Sequence, residues 1–220
     1  MKSQDIVVLF KLASLDLAER RVAERRQRDI EQGLAAKLFD WYGWEPVEES
    51  EFGAEEAKSK DDRSAERYSV RGLAASLGIN KNEVSASLNR SVDADLLRRE
   101  RVTRHLRVNN RVLLDLAEHC LRYVFPVKPG PLMRGIPTGF AAPVLADDIA
   151  SAGETIPVWP YARGSRLGQS VLPLHRAVPE AVQKDQDLYA MLALVDALRL
   201  GNPRERTAAR QRLEQILDVL

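Results

Sequence analysis

Apolar residues at helical spacing predict a short helix near the middle of the chain. Val70, Leu73, Ala74 and Leu77 recur three and four residues apart, so their side chains share one helix face. Gly78 follows directly, and glycine adopts the left-handed conformation that ends many helices without a Cβ penalty. The pattern therefore predicts a helix that stops at Gly78 and is followed by a tight turn.

A second helix is predicted immediately after this turn, with Asn80 as its N-cap. Val84, Leu88 and Val92 are expected to share its buried face. The opposite face carries small, polar or basic side chains: Lys81, Asn82, Ser85, Ala86, Asn89 and Arg90. A helix with a thin apolar seam and such an outer face suits the major groove of DNA, whose floor presents hydrogen-bonding base edges.

The helix pair and the segment after it resemble the winged-helix family of bacterial transcription regulators, the MarR-like group. The resemblance rests on Leu73-Ala74, Leu77-Gly78-Ile79-Asn80, Val84, Leu88 and Leu96-Leu97. It covers residues 6–17, as a first helix, and residues 68–108. It implies that the second helix of the pair is a recognition helix and that a strand–turn–strand wing follows it. Asp95 stands where the family has glycine, and aspartate tolerates the left-handed conformation better than most residues.

The resemblance and the side-chain chemistry together predict which residues bind DNA. The helix pair contributes Ser69, Arg71, Asn80, Lys81, Asn82, Ser85, Ala86, Asn89 and Arg90. The wing contributes Arg98, Arg99, Arg101, Arg104 and Arg107. Arginine favours planar two-point contacts with phosphates and guanine edges. The wing has no glycine-rich tip, so a short wing is expected.

The net charge of +1 hides two segments of opposite charge. Residues 63–111 contain eleven basic and five acidic side chains, a balance of +6. Residues 45–62 contain eight acidic and two basic side chains, a balance of −6. Charged runs are usually solvated surface, but a basic excess confined to a helix–turn–helix favours DNA binding. The acidic segment is poor in large apolar residues and is predicted to be a loop.

The DNA-binding domain is predicted to span residues 1–110, with residues 18–67 as a charged insertion. Its first helix has one apolar face formed by Ile6, Leu9, Phe10, Ala13 and Leu17. The apolar stripe continues through Val22, Ile30, Leu34, Leu38 and Trp41. This continuation indicates either a long helix that pairs with a second subunit or a solvated helix that packs on its own domain.

Residues 111–220 are predicted to form a second unit for dimerisation or partner binding. It begins with a helix capped by Asn109 or Asn110. Prolines recur from Pro126 onward and forbid regular helix, so an extended Pro-rich segment is expected over residues 126–173. Helices are predicted at residues 175–182 and 187–200, and a last one follows the cap Asn202.

Within the Pro-rich segment, aromatic and basic side chains alternate at Trp159, Tyr161, Arg163 and Arg166. Two interpretations remain open for them. The segment either clamps a ligand or a partner, or it is an extended arm that packs over the C-terminal helices.

No catalytic constellation is apparent, so the chain is not expected to be an enzyme. The three histidines are far apart and lack zinc-ligand spacing, and no cofactor or metal is expected. No apolar run approaches the ~20 residues of a membrane span, so no membrane partner is expected. Cys120 is the single cysteine, which fits a reducing, cytoplasmic compartment.

The expected fold class is mainly α: a winged helix–turn–helix domain with a small β wing, plus extra N-terminal and C-terminal helices. The expected function is sequence-specific binding of double-stranded DNA, as a homodimeric repressor at a palindromic operator. The alternative is an adaptor or antitoxin-like protein that binds a partner protein through its C-terminal half. Both functions can coexist in one small repressor.

Overall fold

A computed structural model describes the chain over residues 1–39, 66–100, 105–146, 148–149 and 155–219, with the backbone alone for residues 29–39. The described residues form a mainly helical fold with a small amount of β structure, as the sequence predicts. Among them, no helix combines the length and the apolar character that crossing a membrane requires. The acidic segment 45–62, and Arg101 and Arg104 of the predicted wing, lie outside the described residues.

The first helix, α1, spans Ser3–Phe39 and contributes its N-terminal half to the core. Ile6, Leu9 and Phe10 are completely buried there, as their spacing predicts. Side chains from residue 21 to residue 28 are exposed. The long helix of the sequence analysis therefore exists, and it packs on the rest of the chain through its first half.

The predicted helix pair is present as α2 (Val70–Leu77) and α3 (Lys81–Asp93). Gly78 ends α2 in the left-handed conformation, with φ 66°. Asn80 caps α3, its side chain accepting a hydrogen bond from the backbone N–H of Asn82 at 2.9 Å. The glycine that ends α2 and the asparagine that caps α3 each act on residues close in sequence, and both predictions are confirmed.

One prediction for the buried face of α3 was wrong. Val84 and Leu88 are buried, but Val92 is 41 % exposed, and Ser87 and Ser91 are buried in its place. Positions four apart rotate by about 40° on an α-helix, so the third member of such a series has turned about 80° from the first. Val92 has therefore left the interface that Ser91 still faces.

A short hairpin follows α3, formed by β1 (Leu97–Arg99) and β2 (Leu106–Val108). The strands are antiparallel, and the backbone N–H of Glu100 continues the ladder with a hydrogen bond to the carbonyl of His105 at 2.9 Å. Asp95 enters the hairpin with φ 56°, so it takes the left-handed conformation expected for this position.

The helix predicted after the hairpin is α4 (Asn110–His119), capped by Asn109, and the short helix α5 (Leu121–Val124) continues from it. Leu113, Leu114 and Ala117 are the buried residues of α4. Since consecutive residues on a helix are about 100° apart, a buried face that includes Leu114 turns Val112 outward, to 37 % exposure.

The Pro-rich segment lacks long helix, as predicted, but it contains a small sheet that the sequence analysis missed. Its strands are β3 (Leu132–Pro137), β4 (Pro157–Pro160) and β5 (Arg166–Ser170). β3 is antiparallel to both others, and β4 is parallel to β5, so the three close into a minimal barrel. Prolines occupy the strand ends, where a missing N–H costs least.

The C-terminal part is helical: α6 (Val178–Ala181), α7 (Gln186–Leu200) and α8 (Pro203–Leu217). α6 is shorter than predicted. Asp185 caps α7, and a capping box between Asn202 and Glu205 opens α8. Residues 191–199 of α7 are all buried, which makes α7 the most enclosed of the described helices.

The buried apolar residues of both halves of the chain form one continuous cluster, with α1 packed between α3 and α7. A polar contact crosses the same region, because the Nζ atom of Lys11 lies 2.7 Å from Asp185. Ser14 donates a second hydrogen bond to that carboxylate at 2.6 Å. The N-terminal helix and the cap of α7 are thereby joined.

Candidate nucleic-acid interface

The outer face of α3 is exposed along its length. Lys81, Asn82, Ser85, Ala86 and Asn89 all lie on it, together with the capping residue Asn80. The buried side of the same helix packs on α1 and α2. The fold therefore holds the back of α3 and presents its hydrogen-bonding side chains to solvent.

A cleft of about 460 Å³ separates α3 from the hairpin. Ser85 and Asn89 line it from α3, Arg99 and His105 from the hairpin, and Ser69 from the start of α2. The cleft brings together four of the residues that the sequence nominated, and it adds His105. Donors and acceptors from three elements thus face one concave surface.

Tyr68 also lines this cleft, although it was not among the predicted DNA-binding residues. The ring of His105 stacks on the ring of Tyr68, with centroids 4.9 Å apart and planes 18° apart. The hydroxyl of Tyr68 donates a hydrogen bond to Asp16 of α1 at 2.7 Å. Tyr68 therefore ties the hairpin to α1.

Ser69 has a structural role at the start of α2. Its hydroxyl accepts a hydrogen bond from the backbone N–H of Gly72 at 3.0 Å and donates one to the carbonyl of Glu66 at 2.6 Å. The proton of the Ser69 hydroxyl is therefore already used in a hydrogen bond within the chain. Arg71, two residues later, is exposed.

Arg90 differs from its neighbours on α3, because its guanidinium group binds the first turn of α1. Its Nε atom donates to Asp5 at 3.0 Å and its Nη2 atom to the other oxygen at 2.5 Å. The Asp5 side chain is completely buried, whereas that of Arg90 is 30 % exposed. Burial raises the pKa of Asp5, but the hydrogen bonds from Arg90 and from the backbone N–H of Lys2 outweigh it and leave the pKa below its ordinary value.

Arg107 is enclosed by carboxylates in the same way. Its Nη2 atom lies 2.8 Å from Glu19 and its Nε atom 3.3 Å from Glu100. Its Nη1 atom donates to Asp16, and its guanidinium carbon lies 5.3 Å from the centroid of the Tyr68 ring. Burial lowers the pKa of Arg107, but the carboxylates outweigh burial and raise it. The hairpin is thus clamped onto α1.

The two remaining described arginines of the hairpin are exposed. Arg98 lies opposite Arg107 across the strand pair, and Arg99 lies opposite Leu106. Because successive strand residues point to opposite faces, Arg99 shares the face of the cleft and Arg98 shares the other face. The hairpin therefore presents one arginine on each side.

Within the described part of the chain, four nominated cations have no carboxylate at ion-pair distance: Arg71, Lys81, Arg98 and Arg99. Arg90 and Arg107, in contrast, are held by acidic residues of α1, and no local sequence pattern indicates these pairs. A possible signal was Asp5 itself, an acidic residue inside an otherwise apolar run.

The cleft offers hydrogen-bonding groups beside Arg99, a cation without a described carboxylate partner, which suits a polyanion with readable edges. Over the described residues, no three His, Cys, Asp or Glu side chains cluster so as to hold a metal ion. Comparison of the chain with protein-family models, with curated proteins and with solved structures finds no match.

Proposed function

We propose that the chain is a winged-helix protein that binds duplex DNA, with α3 in the major groove and the hairpin β1–β2 as the wing. The observation that carries the proposal is the exposed polar face of α3 beside a hairpin whose Arg98 and Arg99 are exposed and have no described carboxylate partner. An exposed hydrogen-bonding helix face flanked by four cations without a described carboxylate partner has the charge distribution expected of a groove-binding surface.

The proposal gives the nominated residues different roles. Asn82, Ser85 and Asn89 would contact base edges, because amides and hydroxyls donate and accept at short range. Arg71, Lys81, Arg98 and Arg99 would contact phosphates. Asn80 and Ser69 would act as helix caps that also lie at the DNA surface.

Arg90 and Arg107 are assigned a positioning role. Each uses its guanidinium group on carboxylates of α1, so a phosphate would have to compete with a partner that is already in place. Arg90 fixes the rotation of α3, and Arg107 fixes the hairpin beside it. The relative placement of recognition helix and wing would therefore depend on α1.

We further propose that the chain acts as a homodimeric repressor at a palindromic operator. Two-fold symmetry would place the two copies of α3 in major grooves roughly 34 Å apart, one turn of B-DNA. Occupancy of the operator would then block polymerase sterically. Sedimentation of the chain with one duplex carrying both half-sites tests this, because the proposal requires two chains per duplex.

The test of DNA binding is selection from a random duplex library, followed by anisotropy titration of the selected duplex and of a shuffled one. Asn89→Ala should weaken binding to the selected duplex by about 1–3 kcal/mol and leave the shuffled duplex unaffected. Gln211→Ala removes an equally exposed amide from α8 and should change neither affinity. Failure to enrich any duplex, or equal effects of both variants, would reject the assignment of α3.

A second candidate function is binding of a partner protein through the C-terminal half, as an adaptor or antitoxin. It is favoured by large apolar side chains that are exposed there, with Leu132 61 %, Leu167 68 % and Leu172 74 % accessible. The three belong to the barrel or follow it directly. Replacing all three by Ser should abolish partner capture and leave DNA affinity unchanged if the two functions use separate surfaces.

A further inference from the structure

A second cavity, of about 300 Å³, is lined by residues of the C-terminal half of the chain and shares no lining residue with the cleft beside α3. It is bounded by the barrel, by the 3₁₀ turn Gly139–Ala141 and by the junction of α7 and α8. Its volume is at the lower end of the range found for small-molecule sites. Nothing in the proposed DNA-binding surface uses it.

The walls of this cavity combine apolar surface with two arginines. Val127, Phe140 and Leu200 provide apolar contact area, and Arg122 and Arg199 provide positive charge. An apolar lining with a few convergent polar groups is the usual composition of a ligand site.

Arg199 is the decisive residue, because its side chain is only 3 % exposed. Its Nε atom donates to the carbonyl of Phe125 at 2.9 Å, and its Nη1 atom donates to Asp196 at 2.6 Å. Its Nη2 atom donates to no described residue. This Nη2 atom is not one of the described side-chain atoms that are sealed from solvent without a partner, so its donors are accessible at the cavity wall and can bind an acceptor there.

The acidic residues of the cavity cannot supply that acceptor. Asp196 already accepts hydrogen bonds from Trp159 at 2.6 Å and from Thr138 at 3.0 Å, in addition to Arg199. The carboxylate of Glu205 accepts from the side chain and the backbone of Asn202. The carboxylates of Asp196 and Glu205 therefore already accept hydrogen bonds within the chain, while the Nη2 donors of Arg199 stay available.

Arg122 adds a second donor group to the same cavity. It is half-buried on α5, and no described carboxylate lies within ion-pair distance of it. Two guanidinium groups and apolar surface line the same cavity, so its wall matches a molecule that has both an anionic group and an apolar body.

We propose that this cavity binds a small organic acid, whose carboxylate accepts hydrogen bonds from Arg199 and Arg122 and whose apolar body packs against Phe140, Val127 and Leu200. Arginine matches a carboxylate in geometry as well as in charge, which distinguishes the ligand from a neutral molecule of equal shape. Inorganic phosphate would satisfy the arginines and leave the apolar wall empty.

The test is calorimetric titration of the full chain with straight-chain carboxylic acids from propionate to octanoate, each paired with its primary amide. Each added methylene should tighten binding about fourfold until the cavity is full. Each acid should bind about tenfold more tightly than its amide, because a charged acceptor gains more from an arginine than a neutral one. Inorganic phosphate should bind more weakly than hexanoate.

Arg122→Gln is the first variant, since Arg122 is only half-buried and no described carboxylate depends on its charge. It should weaken hexanoate about tenfold and leave hexanamide unchanged. Arg111→Gln removes an equal charge from the exposed face of α4 and should change neither. The proposal fails if no acid in the series binds saturably, if the amides bind as tightly as the acids, or if Arg122→Gln has no effect.

Arg199 cannot be replaced alone, because Asp196 would remain buried without its cation. The double variant Asp196→Asn with Arg199→Gln removes both charges together, and its thermal unfolding by circular dichroism reports whether it folds. In the folded double variant the preference for acid over amide should fall below about threefold. An undiminished preference would place the acid elsewhere.

Discussion

Arg90 of α3 and Asp5 of α1 form a two-point ion pair across 85 positions of sequence, with 3.0 Å between Nε and Oδ2. It joins the completely buried side chain of Asp5, in the first turn of α1, to the helix that we propose enters DNA. Such a pair holds α3 in rotation as well as in distance, because two parallel hydrogen bonds fix the plane of the guanidinium group.

Removing the cation of this pair should destabilise the fold. Arg90→Ala leaves the Asp5 carboxylate buried without its partner, which is expected to cost about 3 kcal/mol. Urea unfolding monitored by circular dichroism measures the loss. Asp5→Asn combined with Arg90→Ala should recover part of it, since the buried charge is then absent. Lys81→Ala, on the exposed face of the same helix, should cost less than about 0.5 kcal/mol. A loss no larger for Arg90→Ala than for Lys81→Ala would contradict the clamp.

Salt dependence separates positioning arginines from phosphate-binding arginines. Arg99→Gln should flatten the slope of log affinity against log salt concentration by about 1, on selected and shuffled duplexes alike. Arg107→Gln should leave the slope unchanged and lower the thermal unfolding midpoint, because Asp16 and Glu19 lose their cation. Anisotropy titrations across a salt series measure both. A flattened slope in Arg107→Gln would show that Arg107 binds a phosphate instead.

The contrast between these residues shows what the sequence could reveal. The turn at Gly78, the cap at Asn80 and the left-handed Asp95 were predictable, because each is determined by contacts within a few residues. The engagement of Arg107 by Asp16 was not, since 91 positions separate them. A basic residue in a predicted wing has the same local pattern whether it faces DNA or α1.

The barrel was missed for a related reason. Its strands are short and contain prolines and glycines, which locally indicate irregular structure. Its existence depends on pairings between residues 132–137, 157–160 and 166–170, which no local pattern predicts. For Trp159 the structure agrees with the interpretation of an arm that packs over the C-terminal helices. Its ring is buried, and its Nε1 atom donates a hydrogen bond to Asp196 of α7. Arg163 and Arg166 are exposed.

Acid should weaken the junction between α1 and α7 through Asp185. Burial raises the pKa of this carboxyl, but hydrogen bonds from the backbone N–H of Leu188, from Lys11 and from Ser14 outweigh it and lower the pKa. A lowered pKa in the folded state means that Asp185 stabilises the fold above its unfolded pKa of about 3.9, and that this contribution is lost as pH falls through the folded value.

The measurement is the free energy of unfolding in urea from pH 7 to pH 3, for the natural chain and for Asp185→Asn. The variant should be less stable at pH 7, and the difference should shrink below about pH 4. Asp115→Asn, on the exposed face of α4, should show no such convergence. A stability difference that stays constant with pH would mean that the charge of Asp185 does not contribute.

The close approach of the barrel backbone should make Gly164 intolerant of a side chain. A Cβ atom at Gly164 would lie 2.3 Å from the backbone carbonyl carbon of Gly135, and backbone atoms cannot move aside by rotating a side chain. Gly164→Ala should therefore destabilise the fold by about 2 kcal/mol or more. Gly130 is the matched control, because its Cβ would meet the hydroxyl of Ser170 at 2.4 Å.

The hydroxyl of Ser170 is the end of a side chain that can rotate, and the next nearest atom, the Ser170 carbonyl oxygen, is 3.4 Å away. Gly130→Ala should consequently change stability by less than about 1 kcal/mol, helped by the smaller entropy of the unfolded chain. Urea unfolding compares the two variants, and the fluorescence of Trp159, in a chain with Trp41 and Trp44 replaced by Phe, reports on the barrel. If Gly164→Ala, like Gly130→Ala, were as stable as the unsubstituted chain, β3 could separate from residue 164 without cost. The closed barrel would then contribute little to the fold, since one of its close backbone contacts could be opened freely.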